Sequence, residues 1–453
     1  MTSKRGVTEE LCEWLCSVRY GELPSLVRSK TLDVAFDSLG GMVACSQLPE
    51  VRTIVELVEQ LGGQPQCTII GRKGRVPVVS AAMANGGMAH GDEVDPVHLT
   101  SSGGHVAAGT VPAALSVGEM VNATGSEVLR AIALGYEVGG RLMTILYRER
   151  DYFARRFYHT AVAGALSSAV TAALLLGLER QSMQVALGLA AYQAAGPDNM
   201  TKDAGHMGKT FQVAAANRNG VTAALLAQKG SFVPLDILDG PLSFFDAFLG
   251  TPEVASEIVS GLGQYYAITD VMHKRYPAGS PNQTYLQGLL RILEQNRIQP
   301  DDIREIEIQM PKRSVHRIPT TRHASISGEV VCAIAALHGK LNFDQLHDPD
   351  VGRDPAVQKM RQRIRFIGRE DWKNMEHGRH AIVSLTTVVG VSFLEEVWYR
   401  PMSRQELEEN FRSLVAPRWG EEKTRRVEKM FQGLESAGSI GPLMEELGDE
   451  TRA

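Results

Sequence analysis

The 19 residues at positions 160–178 carry no charged side chain. A helix of this length could cross a bilayer. However, much of the stretch is Ala, Gly, Ser and Thr, and Arg and Glu residues crowd both of its ends. Small side chains suit a helix at the centre of a bundle, where neighbouring helices approach closely. The stretch therefore predicts a buried helix of a globular protein rather than a membrane span.

Similar helical patterns cover much of the chain up to about residue 262. Thr124 and Glu127 have the spacing of a capping box, and apolar residues then recur with a helical period from 128 to 146. Several runs are apolar on nearly every face, which predicts a large helical domain with a buried centre. The other predicted helices of this part are 26–43, 50–61, 111–121, 182–195 and 212–227.

The pattern changes after Gly263. Residues 304–310 alternate strictly between apolar and polar side chains, which predicts a half-buried strand. Residues 381–394 are rich in β-branched side chains and predict a longer strand, bent or bulged at Gly390. Helical patterns accompany these strands at 281–293 and 329–337, and the C-terminal tail is again helical. We expect a mainly α fold with an α+β part: a large all-helical domain (1–263), a smaller α+β lid domain (264–398), and C-terminal helices (399–453) that pack back on the helical domain.

The charge balance and the cysteine count exclude several classes of protein. Lys and Arg number 47 against 52 Asp and Glu, a formal net charge of −5, so the chain offers no broad positive field for nucleic acid. Five cysteines are too few for a disulfide framework and predict buried reduced thiols. The N-terminal residues lack the apolar segment of a targeting sequence. We expect a cytoplasmic protein that binds neither nucleic acid nor a membrane.

Ionisable residues cluster between positions 90 and 105. Burying so many of them beside apolar sequence would be costly outside a functional site. They could form a solvated loop, or a divalent-metal site, although their spacing matches no zinc motif such as His-Glu-x-x-His. We favour a metal-free acid/base site, in which a histidine on a flexible Ser-Gly-Gly approach reaches a substrate. The cluster comprises His90, Asp92, Glu93, Asp95, His98 and, after the glycines, His105.

Two lysines and a histidine occur at or near predicted helix starts. His159 begins the uncharged helix and Lys209 opens another. Lys274 precedes Ser280, the predicted N-cap of a helix whose first residue is Pro281. Because the positive end of a helix dipole disfavours a neighbouring cation, this recurrence suggests that an anion joins them.

Taken in order, these segments resemble the MmgE/PrpD family, which includes 2-methylcitrate dehydratases, cis-aconitate decarboxylases and an iminodisuccinate epimerase. The resemblance covers most of the chain. It implies a homodimer, no metal or organic cofactor, and an active site between the two domains. The matching segments are 90–98 (HGDEVDPVH), His105 ahead of a Pro-Ala-Ala-Leu helix, 157–164 (FYHTAVAG), 209–220 (KTFQVAAANRNG) and 274–278 (KRYPA).

The resemblance also implies roles for individual residues. The catalytic residues that it implies are His159, His105, Glu93, Lys209 and Lys274, and the residues expected to contact substrate are Asp95, His98, Arg275, Ser280 and Gln212.

The chain departs from the family pattern at several positions. Val97 stands where the family often has Thr, and Pro96 replaces an Asp. Gln212 takes a position where many relatives have His. Gly279 lies where decarboxylases of the family carry a histidine, which counts against a cis-aconitate decarboxylase.

The expected chemistry is proton transfer next to a carboxylate. Such a step builds negative charge that placed cations stabilise, and histidine titrates near neutrality. We therefore expect a cofactor-independent hydro-lyase similar to 2-methylcitrate dehydratase, with His159 as the leading base and His105 as the acid, or the reverse. Glu93 is expected to orient one imidazole. The alternatives are an epimerase of a substituted succinate, a cis-aconitate decarboxylase-like enzyme, and a non-catalytic helical protein that binds carboxylates or serves as a scaffold.

Overall fold

The chain divides into two compact units in a computed structural model that describes residues 5–148, 157–199, 207–315, 323–372 and 379–448. The first unit comprises residues 1–91, 95–273 and 404–453, and the second comprises residues 92–94 and 274–403. The first unit is mainly helical, and the second combines helices with a mixed sheet. The predicted fold class, mainly α with an α+β part, is confirmed.

Helices and two short antiparallel strand pairs form the first unit up to residue 273. Helix α4 was not predicted, because its sequence (VVSAAMANGGMA) consists mostly of small and apolar residues and shows no helical period. The strand pairs are β1 (Cys67–Thr68) with β2 (Arg75–Val76), and β3 (Val97–His98) with β4 (Val271–Met272). The helices are α1 (Val7–Ser17), α2 (Ser25–Cys45), α3 (Pro49–Leu61), α4 (Val78–Ala89), α5 (Val106–Met120), α6 (Gly125–Arg148), α7 (His159–Leu175), α8 (Arg180–Ala191), α9 (Met207–Gln228) and α10 (Phe244–Leu249).

Local sequence signals set the ends of several helices. The predicted capping box before α6 is confirmed: Glu127 Oε2 accepts the N–H of Thr124 at 2.7 Å, and Thr124 Oγ1 accepts the N–H of Glu127 at 3.2 Å. Pro49 is the first residue of α3, where its missing N–H costs nothing. Gly62 ends the same helix with a φ of 59°, a conformation that favours glycine.

Small side chains let α5, α7 and α9 pack closely against one another. A Cβ atom on Gly109 of α5 would lie only 3.1 Å from the Cα of Gly164 in α7. A Cβ on Gly220 of α9 would lie 2.6 Å from the carbonyl oxygen of Ala165 in α7. The 2.6 Å contact leaves no room for a side chain at position 220, and the 3.1 Å contact leaves little at position 109.

The same contacts show that α5, α7 and α9 run in one direction. The N–H of His105 donates to Thr160 Oγ1 at 3.2 Å, four residues before the Gly109–Gly164 contact in both helices. Along α7 and α9, Gly164 faces Ala216, and the next turn of α7 faces Gly220. All three helices therefore begin at the same end of the first unit.

Helix α7 is buried from Thr160 to Leu174, as its uncharged sequence predicts. Within the described ranges, no helix combines the length and the apolarity needed to cross a bilayer. The cysteines are free thiols, of which Cys16 is half-buried and the other four are buried.

A four-stranded mixed sheet with helices forms the second unit. Its strand order is β6-β5-β7-β8, in which β5 and β6 are parallel and the other two pairs are antiparallel. Helix α11 packs against β7 and β8, and Gly288 allows the close approach because a Cβ there would lie 2.8 Å from Val397. The elements are α11 (Asn282–Asn296), β5 (Ile303–Pro311), α12 (Lys312–Val315), α13 (Gly328–His338), α14 (Phe343–His347), α15 (Pro355–Arg361), β6 (Ile364–Arg369), β7 (His380–Thr387) and β8 (Ser392–Trp398).

The two strand predictions differ in outcome. The strand at 304–310 is confirmed as β5, with its apolar residues buried on one face. The single bent strand at 381–394 is wrong, because the chain reverses between Thr387 and Ser392 and forms the hairpin of β7 and β8. Gly390 permits this turn with a φ of 89°.

The C-terminal part of the chain is helical, as predicted, and groups with the first unit. Helix α16 (Arg404–Gln432) contains Pro417 and is interrupted at Gly420, whose φ of 73° is non-helical. Helix α17 (Gly441–Gly448) follows it.

We expect Gly220→Ala to destabilise the protein and Gly164→Ala to be tolerated. The new Cβ at position 220 would meet backbone atoms of Ala165 and Ala169 at 2.6 Å, whereas at position 164 its nearest neighbour is the Cβ of Ala216 at 3.4 Å. Overpacking costs roughly 1–3 kcal/mol, and Ala in place of a helical Gly gains up to about 1 kcal/mol. Urea unfolding followed by circular dichroism should show a lower midpoint for Gly220→Ala alone. Equal losses in both variants would contradict the tight α7–α9 contact.

Candidate active site

One carboxylate oxygen connects two of the predicted site histidines in the first unit. His90 follows the last residue of α4, and its Nδ1 lies 2.8 Å from Asp95 Oδ2. Nδ1 of His105 lies 2.8 Å from the same oxygen. Because an ionised carboxylate only accepts hydrogen bonds, both Nδ1 atoms carry protons. His105, in its neutral form, therefore has its lone pair on Nε2.

A closed loop delivers His105 to this position at the start of α5. The N–H of His98 donates to the carbonyl oxygen of Gly104 at 2.8 Å, and the N–H of Gly103 donates back to His98 at 3.0 Å. Ser102 and Gly103 both adopt positive φ, at 55° and 97°. Gly104 has no room for a side chain, since a Cβ would lie 2.6 Å from Ser101 Oγ.

His159 lies beside this loop as the first residue of α7. Its Nε2 lies 3.2 Å from the carbonyl oxygen of Ser101, which can only accept, so Nε2 carries the proton and Nδ1 the lone pair in a neutral ring. A Cβ on Gly104 would lie 3.2 Å from the same Nε2. His105 and His159 therefore stand at the starts of two adjacent parallel helices, with opposite ring nitrogens carrying the proton.

His90 is fully buried within this group of side chains. Burial, followed by the charge of Lys209, lowers the pKa of His90 from 6.5 to about 3, so the ring is neutral at physiological pH. Its Nδ1 donates a hydrogen bond to Asp95, so its Nε2 accepts a hydrogen bond from the Tyr158 hydroxyl at 2.8 Å. Together, His90, Asp95, His105, Tyr158 and His159 form what we call the histidine cluster.

Lys209 brings a buried positive charge to the same end of the first unit. It is the third residue of α9 and is only 5% exposed. The end of α4 reaches the start of α9, where Thr210 Oγ1 donates to the carbonyl oxygen of Gly91 at 3.5 Å. The starts of α5, α7 and α9 add the positive ends of three helix dipoles, so this end of the unit favours an anion.

Glu93 and Lys274 pair with each other in the second unit. Lys274 Nζ donates to Glu93 Oε2 at 2.8 Å, and the lysine side chain is fully buried. A buried lysine requires such a partner, because desolvation of an unpaired charge is costly.

The residues expected to contact substrate occupy different environments. Asp95 orients two imidazoles, as described above. His98 is buried within its loop, where Nδ1 lies 3.1 Å from Ser101 Oγ, and burial lowers its pKa from 6.5 to about 4. The N–H of Arg275 donates to Gln283 Oε1 at 2.9 Å, and Gln212 Nε2 donates to the carbonyl oxygen of Pro197 at 3.0 Å.

The predicted start of α11 is wrong by one residue. The N-cap position is held by Pro281 rather than by Ser280, and the first helical residue is Asn282. Pro281 already has helical φ and ψ angles, and Ser280 lies half-buried just before it. The side chain of Ser280 is therefore not the cap of this helix.

Two sets of described residues place metal-binding atoms within 4.8 Å of one another. In the first, His90, Asp95 and His105, a metal would have to displace the protons that both imidazoles direct at the carboxylate. The second, Asp92 with His323 and His347, belongs to the second unit. The two histidines of this second set were not predicted, because no spacing in the sequence relates them to Asp92.

Acidification should reveal the buried state of His98. Because its pKa is lowered to about 4, protons bind to this residue in the unfolded chain before they bind in the folded chain. Its contribution to stability is complete above about pH 6.5 and falls as the pH approaches 4, by up to about 1.4 kcal/mol per pH unit. Urea midpoints at pH 7, 6 and 5 should fall less steeply in His98→Gln than in the wild type. Parallel pH curves would contradict this assignment.

Comparison with known proteins covers both units. The MmgE/PrpD N-terminal domain matches residues 9–257, and the MmgE/PrpD C-terminal domain matches residues 276–436. A cis-aconitate decarboxylase of Aspergillus terreus is 26% identical over 98% of this chain and 96% of that protein. The cis-aconitate decarboxylase of Homo sapiens is 23% identical over 95% of this chain and 92% of that protein. The chain belongs to the MmgE/PrpD family.

Proposed function

We propose that this chain is a lyase that acts on a small di- or tricarboxylate without a metal or organic cofactor. The observation that carries the proposal is the hydrogen bond between His105 Nδ1 and Asp95 Oδ2. Because this bond keeps the proton of the neutral ring on Nδ1, the lone pair on Nε2 is the one that acts as a base. Family membership, together with the carboxylate in the names of the relatives, supports a carboxylate substrate.

In the proposed first step, His105 Nε2 removes a proton from the carbon next to a substrate carboxylate. The ring then becomes an imidazolium, which the buried Asp95 carboxylate stabilises and holds in place. This step makes His105 the base and His159 the acid, the reverse of the order that we favoured from the sequence. The reason is that His105 has a carboxylate partner, whereas His159 donates to a neutral carbonyl.

In the second step, His159 acts from its imidazolium form. Its Nε2 proton stays with the Ser101 carbonyl, so the proton on Nδ1 is the one transferred to the leaving hydroxyl, which departs as water. A C–H bond and a C–O bond break, and a C=C bond and an O–H bond form. One proton has moved to His105 and one has left His159, and exchange with solvent restores both rings.

Positive groups hold the carboxylates and the negative charge that develops on them. Lys209 and the starts of α5, α7 and α9 supply this charge in the first unit. We propose that Lys274 of the second unit also binds a substrate carboxylate. Its ion pair with Glu93 holds the ammonium group in position. Arg275, Ser280 and Gln212 remain proposed substrate contacts.

The reaction that we favour is dehydration of a substrate similar to 2-methylcitrate. Gly279 lacks the imidazole that the resemblance associates with decarboxylation at that position. A second candidate is decarboxylation, which the names of the relatives favour. Both reactions use the same cations and proton-transfer groups, and epimerisation of a substituted succinate would use them without expelling a group.

The deciding experiment incubates the purified full chain with citrate, 2-methylcitrate, cis-aconitate and substituted succinates in deuterated buffer. Proton and carbon NMR then distinguish an alkene with loss of water, release of carbon dioxide, and simple deuterium exchange. Carboxylates that raise the melting temperature without being converted would instead support a binding protein. Sedimentation of the same sample tests the homodimer that we propose from the family resemblance.

Substitutions in the histidine cluster should separate chemistry from binding. We expect His105→Gln to lower kcat by about 10²–10⁴-fold, because it removes the base. Asp95→Asn should also lower kcat, since an amide N–H facing Nδ1 favours the tautomer whose Nε2 carries the proton. Lys209→Met should mainly raise KM, because it removes a contact to the substrate carboxylate.

His338→Gln provides the matched control, because this exposed histidine ends α13 in the second unit and has no part in the proposed machinery. It should retain near-normal turnover. Normal turnover in His105→Gln, with an unchanged melting temperature, would rule out His105 as the base.

A further inference from the structure

A second cluster of metal-binding side chains, Asp92, His323 and His347, lies within the second unit and has no part in the proposed reaction. We propose that these three residues bind a divalent transition-metal cation such as Zn²⁺. One carboxylate and two imidazoles form a donor set that suits zinc and its neighbours in the first transition row.

The distances fit a cation held by these residues. One ligand atom from each lies within 4.8 Å of the other two, and His347 Nε2 lies 2.9 Å from Asp92 Oδ2. Ligand atoms bound to zinc at about 2.0–2.2 Å lie roughly 2.9–3.6 Å apart. Small side-chain rotations would therefore complete the site.

Proton positions give an independent argument at His347. Its Nδ1 lies 2.7 Å from the carbonyl oxygen of Phe343, which only accepts, so Nδ1 carries a proton. In a neutral ring, the Nε2 lone pair then faces the Asp92 carboxylate at 2.9 Å. Two lone pairs repel at this distance, so a positive species belongs between them: a second proton on the ring or a metal ion.

Neighbouring groups already orient the proposed ligands. Ser325 Oγ donates to Asp92 Oδ1 at 2.7 Å and lies 2.9 Å from His323 Nδ1, while the Phe343 carbonyl fixes His347. Such outer hydrogen bonds are typical of metal sites, where they set the direction of each ligand. Asp92 is fully buried, whereas the His323 and His347 side chains are 16% and 13% exposed, which leaves a route for the ion.

A cation here would join three separate parts of the second unit. Asp92 comes from the short 92–94 segment, His323 from the residues before α13, and His347 from the end of α14. These parts are distant in sequence, so their cross-link removes conformational freedom from the unfolded chain and stabilises the folded one. The role that we propose is therefore structural.

The test titrates the chelator-treated full chain with Zn²⁺ by calorimetry and with Co²⁺ by visible absorption. We expect one equivalent to bind and the melting temperature to rise. His323→Gln and Asp92→Asn should each weaken binding by more than about 10²-fold, and Ser325→Ala by about 10–100-fold. His338→Gln, a histidine outside the cluster, should bind as the wild type does.

X-ray absorption of the zinc-loaded wild type needs no substitution and should show imidazole and oxygen ligands without sulfur. Three results would overturn the proposal: no binding by the wild type, equal binding by the wild type and both ligand variants, or sulfur in the coordination shell. NMR detection of protons on both ring nitrogens of His347 at neutral pH, in zinc-saturated protein, would also overturn it, because the second positive species would then be a proton.

Discussion

The close parallel packing of α5, α7 and α9 is the constraint on which the histidine cluster depends. Glycines at 109 and 220 bring the three helices close together, since a Cβ there would lie 3.1 Å and 2.6 Å from backbone atoms of α7. Because the helices run in one direction, His105, His159 and Lys209 come to the same end without any long loop to carry them. The positive ends of the three helix dipoles meet at that end and favour an anion there. The glycines that allow the close packing of these helices thus also set the positions of His105, His159 and Lys209.

Hydrogen-bond direction then gives chemically different roles to similar residues. Asp95 accepts hydrogen bonds from two imidazoles. In His90, the second ring nitrogen is bonded to the Tyr158 hydroxyl, and burial keeps the ring neutral. His159 has the opposite tautomer because its acceptor is a backbone carbonyl. In the reaction that we propose, the three histidines serve as support, base and acid because their hydrogen-bond partners differ.

The helices of the first unit could be predicted from sequence because their faces or their capping residues mark them, as Thr124 and Glu127 do for α6. Helix α4 could not, since its short run of small and apolar residues shows neither a helical period nor a capping residue. The β7–β8 hairpin was missed for a related reason: Val388, Val389 and Val391 make the turn look like strand, and only Gly390 marks it.

The candidate site residues stood out in the sequence as ionisable groups that are costly to bury, but the sequence did not show their partners. Whether a carboxylate faces an imidazole or a lysine depends on contacts between residues far apart in the chain.

The segment from 92 to 95 shows why those partners decide function. It carries three acidic side chains in four residues, and each is largely or fully buried. A buried carboxylate persists only with hydrogen-bond donors or an opposite charge. Glu93 has Lys274, Asp95 has two imidazole N–H groups, and Asp92 has the Ser325 hydroxyl. Each partner belongs to another element, so folding places the three carboxylates in three different environments. Asp92 Oδ1 accepts the hydrogen bond of a neutral hydroxyl, and its Oδ2 faces His347 Nε2, where we propose that a metal ion binds.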